Sequence, residues 1–224
     1  MKNAIILFSG GLDSTTCLAI AKARGFICHA LTFTYGQKHD IEVTYAKHIA
    51  KIFDIANHQV LSLPLHQIGG SSLIDKKLSI DDFSGSRDIP NTYVPARNTI
   101  FLSYALAFSE VIQAQDIFIG CNVIDYSGYP DCRPEYLEAF ENMASLATKI
   151  AINQQLKVKI HAPLLKMNKS EIIQEGLRYG IDYSKTISCY RADQDGRACG
   201  SCDSCVYRKK GFKEAGVSDP TIYF

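Results

Sequence analysis

Apolar residues along this chain fall into two alternating patterns. Short continuous runs read as strands: Ala4-Ile5-Ile6-Leu7-Phe8, Ile27 to Tyr35, Gln59 to Leu63, Ile117-Phe118-Ile119-Gly120 and Val158-Lys159-Ile160-His161. Between them, apolar residues recur every three or four positions, the period of a helix that buries one face. Ile41, Tyr45, Ile49 and Ile52 make one such stripe, and Phe101, Tyr104, Ala105 and Phe108 make another. Strand runs that are apolar throughout are buried on both sides. The alternation therefore predicts an α/β fold: a doubly wound, mostly parallel five-stranded sheet with helices on both faces.

Punctuation residues set the expected ends. Thr15 to Arg24 reads as a helix closed by Gly25, and Asn98 is placed to cap the helix after it. Pro134 suits the first turn of a further helix. Asn168 and Glu171 have capping-box spacing, and that helix stops at Gly180. Two stretches lose periodicity, Pro64 to Ala96 and Asn122 to Arg133. Long irregular segments inside a domain are often functional lids. Past Gly180 the pattern fails again until about Cys205, where a basic helical segment begins. The expected division is residues 1–180 as an α/β domain and 181–224 as a small cysteine-bearing region packed on it.

Composition narrows the function. Across 224 residues the net charge is +1, so there is no general electrostatic case for wrapping nucleic acid or lying on an anionic membrane. The first apolar run is too short for a secretory segment, which predicts a cytoplasmic protein with reduced cysteines. Of its eight cysteines, Cys17, Cys28, Cys121 and Cys132 are scattered and read as small buried hydrophobes.

The turn Ser9-Gly10-Gly11-Leu12-Asp13-Ser14 carries the first chemistry. It follows the first strand, where ligands of open parallel sheets bind. Two glycines let the backbone approach a ligand closely. Ser9, Ser14 and Thr15 add hydroxyls, and the amides of the following helix complete an anion cradle. No Walker lysine and no GxGxxG spacing is present. A carboxylate at Asp13 beside phosphates calls for a cation such as Mg²⁺. The turn resembles the PP-loop of the N-type ATP pyrophosphatases. That resemblance implies nucleotide contact across Phe8, Ser9, Gly10, Gly11, Leu12, Asp13, Ser14, Thr15, Thr16, Cys17 and Leu18. It also implies attack on the α-phosphate of ATP, with pyrophosphate leaving.

The second chemistry is Cys189, Cys199, Cys202 and Cys205, four thiols within a short tail. Their number and type suit a closed structural zinc site. An iron–sulfur cluster is the rival, but the ferredoxin run adds a further cysteine before proline, and Val206 to Lys209 holds none.

Together these motifs resemble the 7-cyano-7-deazaguanine synthase family nearly end to end. The resemblance is carried by Thr34-Tyr35-Gly36-Gln37-Lys38-His39, Val94-Pro95-Ala96-Arg97-Asn98, Asp125 to Arg133, Pro163-Leu164 with Lys169-Ser170-Glu171, and Ser188-Cys189-Tyr190 with the later cysteines. It departs at Ala96, where glycine is the expected residue. It implies an ATP-dependent ligase that turns 7-carboxy-7-deazaguanine and ammonia into the nitrile through two adenylations. ATP would come with Mg²⁺, zinc would be structural, and the chain would form a homodimer.

Asp13, Lys169 and Arg97 are then the expected catalytic residues. Lys166 and Arg133 are further candidates to clamp phosphate or carboxylate. Asp125 and Asp131 are placed to bind the guanidine-like edge of the substrate, with Tyr126 or Tyr129 stacking on it. Cys132, with His39 or His161 as base, is a candidate nucleophile that an already activated adenylate does not need. Two alternatives remain: a tRNA-modifying relative with the same loop, and a zinc-ribbon nucleic-acid module using Arg208-Lys209-Lys210.

Overall fold

The computed structural model describes residues 1–38, 41–86, 88–124, 129–154 and 157–224, with 150 and 154 described by backbone alone. Five strands, β1 (Asn3–Leu7), β2 (Ile27–Thr34), β3 (Asn57–Ser62), β4 (Asp116–Phe118) and β5 (Lys159–His161), form one sheet. Their order is β3-β2-β1-β4-β5, and each neighbouring pair is parallel. The helices are α1 (Leu12–Ala23), α2 (Ile41–Ile52), α3 (Arg97–Val111), α4 (Pro134–Ala147), α5 (Lys149–Gln154), α6 (Lys169–Arg178) and α7 (Asp203–Ala215). All five expected strands are present, their ends shifted by a residue or two.

The central strand explains the two-sided burial. Ile5 and Leu7 enter one core with Leu102, Ala105, Leu137 and Ile117. Ala4, Ile6 and Phe8 enter the other with Leu18, Ile49, Phe118, Ile172 and Phe212. Side chains on a strand alternate faces, so an all-apolar strand must be covered on both. Each fully buried Ile or Leu contributes about 1.5–3 kcal/mol.

Two helical stripes differ from expectation. In α2 the buried residues are Val43, Ala46, Ile49 and Ala50, while Ile52 is exposed. The reason is close packing: a Cβ on Gly10 would lie 2.7 Å from the Ala46 nitrogen, so the helix turns a small residue to the glycine loop. In α3 the buried face is Asn98, Leu102, Ala105, Leu106 and Ser109. Tyr104 is exposed, and Phe101 lies off that face, stacked on Phe33 with ring centroids 4.2 Å apart.

Two ends also move. α1 begins at Leu12 rather than Thr15, because the Thr15 N–H already donates to the Gly11 carbonyl at 3.0 Å. The N-cap of α3 is Ala96, in a left-handed conformation with φ 51° and ψ 26°, and Asn98 is inside the helix. That conformation is why glycine is expected there. The capping box at Asn168 and the stop at Gly180 (φ 74°) are both present. The expected basic tail helix is α7, and α5 has no counterpart in the sequence reading.

The fold places the site by topology. From β1 the chain steps to β2 and β3, then crosses to β4 and β5 on the other side. The order therefore reverses between β1 and β4, where a crevice opens at the strand ends. The glycine loop follows β1 into that crevice. Gly120 follows β4, and a Cβ there would lie 3.1 Å from the Asp13 backbone.

Candidate functional site

A cleft of about 260 Å³ lies over this crevice. The glycine loop forms its floor. Ser9 N–H donates to Ser14 Oγ at 3.2 Å, Gly11 N–H to Ser9 Oγ at 3.3 Å, and Leu12 N–H to Ser188 Oγ at 3.3 Å. Thr15 Oγ1 donates back to the Gly11 carbonyl at 2.8 Å. Donors from loop and helix thus converge at the N-terminus of α1, the polarity that holds an anion.

Of the expected nucleotide residues, Phe8, Ser9, Gly11, Leu12, Asp13 and Ser14 line the cleft. Gly10 instead faces Ala46. Thr15, Thr16, Cys17 and Leu18 are buried in α1 beneath the loop. Thr16 Oγ1 meets the Tyr183 hydroxyl at 2.8 Å, and that hydroxyl bonds the Ile172 carbonyl. Burial pushes the Cys17 thiol far up, so it stays protonated.

The cation beside Asp13 comes from the chain itself. Lys169, the first residue of α6, is buried and its Nζ donates to both Asp13 carboxylate oxygens at 2.8 Å. Its stem lies on α7, where a Cβ on Gly211 would sit 2.4 Å from Lys169 Cγ. The ammonium is therefore held from two helices at the mouth of the loop.

Arg97, at the start of α3, forms part of the opposite wall. Its guanidinium lies 5.8 Å from the Tyr35 ring and 6.0 Å from Phe101, and Nη1 donates weakly to the Tyr35 hydroxyl at 3.4 Å. Its Nε is buried without a hydrogen-bond partner among the described residues. A buried donor left unpaired costs about 1–3 kcal/mol, so this guanidinium is prepared for an anionic partner. Burial pushes the Tyr35 phenol up, against the pull of Arg97.

Of the remaining expected residues, Tyr129 and Cys132 also line the cleft, and the other described ones do not. Asp131 is buried, and its Oδ2 accepts the Asn98 N–H at 2.9 Å. Asn98 Nδ2 in turn donates to the Asp131 carbonyl and to Cys132 Sγ at 3.2 Å. The carboxylate thus caps the start of α3 and is not on the cleft wall. Arg133 is exposed at the N-cap of α4, with Nε on the Pro130 carbonyl at 3.2 Å. Lys166 is exposed and off the cleft. Asp125, Tyr126 and His39 lie outside the described residues. His161 stacks on Phe118 and bonds Asp116 at 2.6 Å, away from the cleft.

Cleft residues that sequence reasoning missed include Glu42, Ser204 and Arg208. Arg208 was grouped with surface lysines, yet it is only 3% exposed. Its guanidinium pairs with Asp219 at 3.1 Å and donates to Thr186 Oγ1 and the Tyr183 carbonyl at 2.9 Å. Buried and paired, it is not presented to a nucleic-acid backbone. A basic run at helical spacing has an inward position, which is the signal that could have singled it out.

The four tail cysteines come together. One ligand atom from each of Cys189, Cys199, Cys202 and Cys205 lies within 4.8 Å of the others. Arg191 and Cys199 donate their N–H groups to Cys189 Sγ at 3.2 Å, and Cys202 N–H donates to Cys199 Sγ at 3.4 Å. Amides that donate to sulfur favour thiolates, so the set can hold a metal ion. Cys17, Cys28, Cys121 and Cys132 are all buried. Cys121 and Cys132 share a thiol hydrogen bond that pushes Cys121 up and Cys132 down.

Comparison with known proteins agrees along the whole chain. The family model described as queuosine biosynthesis protein QueC matches residues 3–216. A 7-cyano-7-deazaguanine synthase of Coxiella burnetii is 57% identical over 223 residues, covering 100% of this chain and 98% of that protein. The 7-cyano-7-deazaguanine synthase of Hydrogenovibrio crunogenus is 54% identical, covering 100% and 96%. Among solved structures, a predicted subunit of tRNA methyltransferase from Methanocaldococcus jannaschii superposes with a TM-score of 0.54 at 18% identity, covering 100% of this chain and 92% of that one. That likeness shows the shared fold.

Proposed function

The chain belongs to the queuosine biosynthesis protein QueC family, and from that membership we propose that it is a 7-cyano-7-deazaguanine synthase. It joins ammonia to 7-carboxy-7-deazaguanine at the expense of ATP, giving the nitrile. The carboxylate attacks the α-phosphorus of ATP and expels pyrophosphate. Ammonia displaces AMP to give the amide, the amide oxygen is adenylated in turn, and loss of the second AMP leaves the nitrile.

One observation supports this most strongly: the Lys169–Asp13 pair stands at the mouth of the donor-rich loop, facing Arg97 across the cleft. The loop amides and the hydroxyls of Ser9 and Ser14 hold the leaving pyrophosphate. Lys169 stabilises charge as the phosphorus–oxygen bond breaks, and preorganised cations of this kind supply much of catalysis in nucleotidyl transfer. Asp13 keeps that ammonium in place. Arg97 takes the substrate carboxylate or the α-phosphate with its Nε, which has no partner among the described residues. Asp131 acts through Asn98, by fixing the turn that carries Arg97. Asp125 and Tyr126 contact the deazapurine. Mg²⁺ enters with the phosphates of ATP, since Lys169 already occupies both oxygens of Asp13.

The four-cysteine set is proposed to hold zinc, which ties the Cys189 loop to the Cys199–Cys205 turn within residues 181–224. With four thiolates the site is closed, so its role is architectural. We further propose a cytoplasmic homodimer acting on small molecules. Among the described residues no helix is long and apolar enough to cross a membrane.

Incubation with ATP, Mg²⁺, ammonium and 7-carboxy-7-deazaguanine, followed by mass detection, tests the reading. The nitrile is the expected product. A folded, metal-loaded protein that gives none overturns the assignment. A gel shift with tRNA at moderate salt should show no complex; tight binding would favour a tRNA-modifying role.

A further inference from the structure

The proposed chemistry removes three protons from one nitrogen, and the cleft must supply something to receive them. Ammonia attacking the acyl adenylate forms a C–N bond, breaks the C–O bond to AMP and leaves a proton on nitrogen to be lost. Adenylation of the amide forms an oxygen–phosphorus bond, expels pyrophosphate and takes a second proton from nitrogen. Elimination then breaks the C–O bond to the second AMP. The last N–H proton departs as its electron pair becomes the third bond of the nitrile. Each proton needs a base beside the reacting carbon.

Most candidates on the cleft wall are already engaged. Asp13 is held by Lys169 through both oxygens. Cys132 accepts a hydrogen bond from Asn98 and shares another with Cys121. Tyr35 is kept protonated by burial, and the Lys38 ammonium bonds the Leu78 carbonyl. No histidine lines the cleft among the described residues.

Glu42 remains. It stands in the first turn of α2, directly against the glycine loop: a Cβ on Gly10 would lie 3.1 Å from the Glu42 carbonyl oxygen. Its side chain lines the cleft together with Asp13, Arg97 and Tyr35. We infer that Glu42 is a catalytic residue, the general base that takes the protons from the substrate nitrogen at the amide- and nitrile-forming steps.

Its surroundings suit the task. Burial pushes the Glu42 carboxyl up to about 7, against the opposing pull of the Arg97 guanidinium. A base with that affinity is about half ionised at neutral pH and holds a proton well enough to take one. Part of the residue's surface stays open to solvent, the route by which each proton leaves before the next step. Facing it are the Arg97 guanidinium from α3 and the Tyr35 phenol after β2. Arg97 can hold substrate beside Glu42 without neutralising it through a direct ion pair, since no salt bridge joins the two among the described residues.

This inference rests on the synthase reading, and the test separates the two. Full-length protein is given the carboxamide of the deazapurine with ATP and Mg²⁺, so that ammonia's own titration does not enter. In parallel, exchange of pyrophosphate into ATP is followed with the carboxylate substrate, whose adenylation removes no proton from nitrogen. Glu42→Gln should lower nitrile formation about 100-fold or more, the usual scale for a lost general base, while exchange stays within about threefold. The wild-type rate should rise with pH through a group near 7, and that limb should vanish in Glu42→Gln and return with a reduced rate in Glu42→Asp. Equal nitrile formation by Glu42→Gln and wild type would overturn the assignment. So would joint loss of exchange and nitrile, or a pH limb that survives in Glu42→Gln. A wild-type protein unable to convert the carboxamide would instead sink the synthase reading itself.

Discussion

Lys169 and Asp13 stand 156 residues apart in the chain, yet the Lys169 ammonium donates to both Asp13 carboxylate oxygens at 2.8 Å. The pair joins the first turns of α1 and α6, which share one core on the same face of the sheet. It places a positive charge where the loop amides already converge, at a point reached only when β4 and β5 lie beside β1. The Lys169 side chain is 8% exposed and that of Asp13 26%, so the charge faces the cleft without being lost to solvent.

Removing either partner should cost turnover more than stability. Lys169→Met and Asp13→Ala are each expected to lower turnover at least 100-fold, as for other preorganised charge stabilisers. The loss of a charged hydrogen bond destabilises by about 1.5–3 kcal/mol. Nitrile formation and thermal unfolding of the same preparations check both. If the double variant is no worse than either single one, the two act as a unit.

Gly211→Ala tests how Lys169 is held. The added methyl would lie 2.4 Å from Lys169 Cγ and 3.0 Å from Ile173 Cδ1. Overpacking of that kind costs about 1–3 kcal/mol. Displacing the ammonium by a fraction of an ångström should slow pyrophosphate exchange about tenfold or more. An unchanged exchange rate would mean that Lys169 is not positioned by α7.

Ala96→Gly should stabilise the protein. Ala96 holds φ 51°, a left-handed conformation that costs a residue with a side chain about 1–2 kcal/mol. Glycine removes that strain but loses about 0.5–1 kcal/mol through unfolded-chain entropy. The net gain of about 0.5–1 kcal/mol should raise Tm by roughly 2 °C, with turnover retained because Arg97 keeps its place.

Glu42 carries a stability signature of opposite sign to that of most surface carboxylates. Its folded-state pKa is raised to about 7 from an ordinary 4.5. Between those values the folded state holds the proton that the unfolded chain has released, so stability falls as pH rises through this window. Glu42→Gln, always uncharged, should therefore melt higher than wild type at pH 8 and about equal to it at pH 4. Melting curves at the two pH values decide it. A variant that is more stable but slower is the trade expected of a residue kept for chemistry.

Loss of metal should unfold the tail first. Cys202 is fully buried, and Cys202→Ser should abolish metal binding and lower Tm by about 10 °C or more, since structural zinc sites contribute directly to folding. Elemental analysis should find about one zinc per wild-type chain and none in the variant. Another metal at that stoichiometry would correct the identity of the ion.

Much of this molecule was legible in order along the chain. The five strands, the glycine loop after β1, the capping box at Asn168 and the four cysteines are local patterns, set by side-chain period, backbone freedom and ligand type. Their reading needs only neighbours within a few residues. The rotated faces of α2 and α3 were not legible, because spacing alone does not say which stripe meets the sheet. Ala46 faces inward because Gly10 needs the room.

The sequence by itself therefore determined most of the elements, the glycine loop and the four-cysteine set. Tertiary structure decided which charges serve the site. Lys169 reaches Asp13, Glu42 enters the cleft, Arg208 turns inward to Asp219, and Asp131 leaves the cleft to cap α3 through Asn98. A charged residue has the same sequence signature on a solvated face as in a catalytic wall. Its role depends on burial and on partners brought from distant parts of the chain, and those are fixed only when the strand order reverses at β1 and β4 and the crevice closes around them.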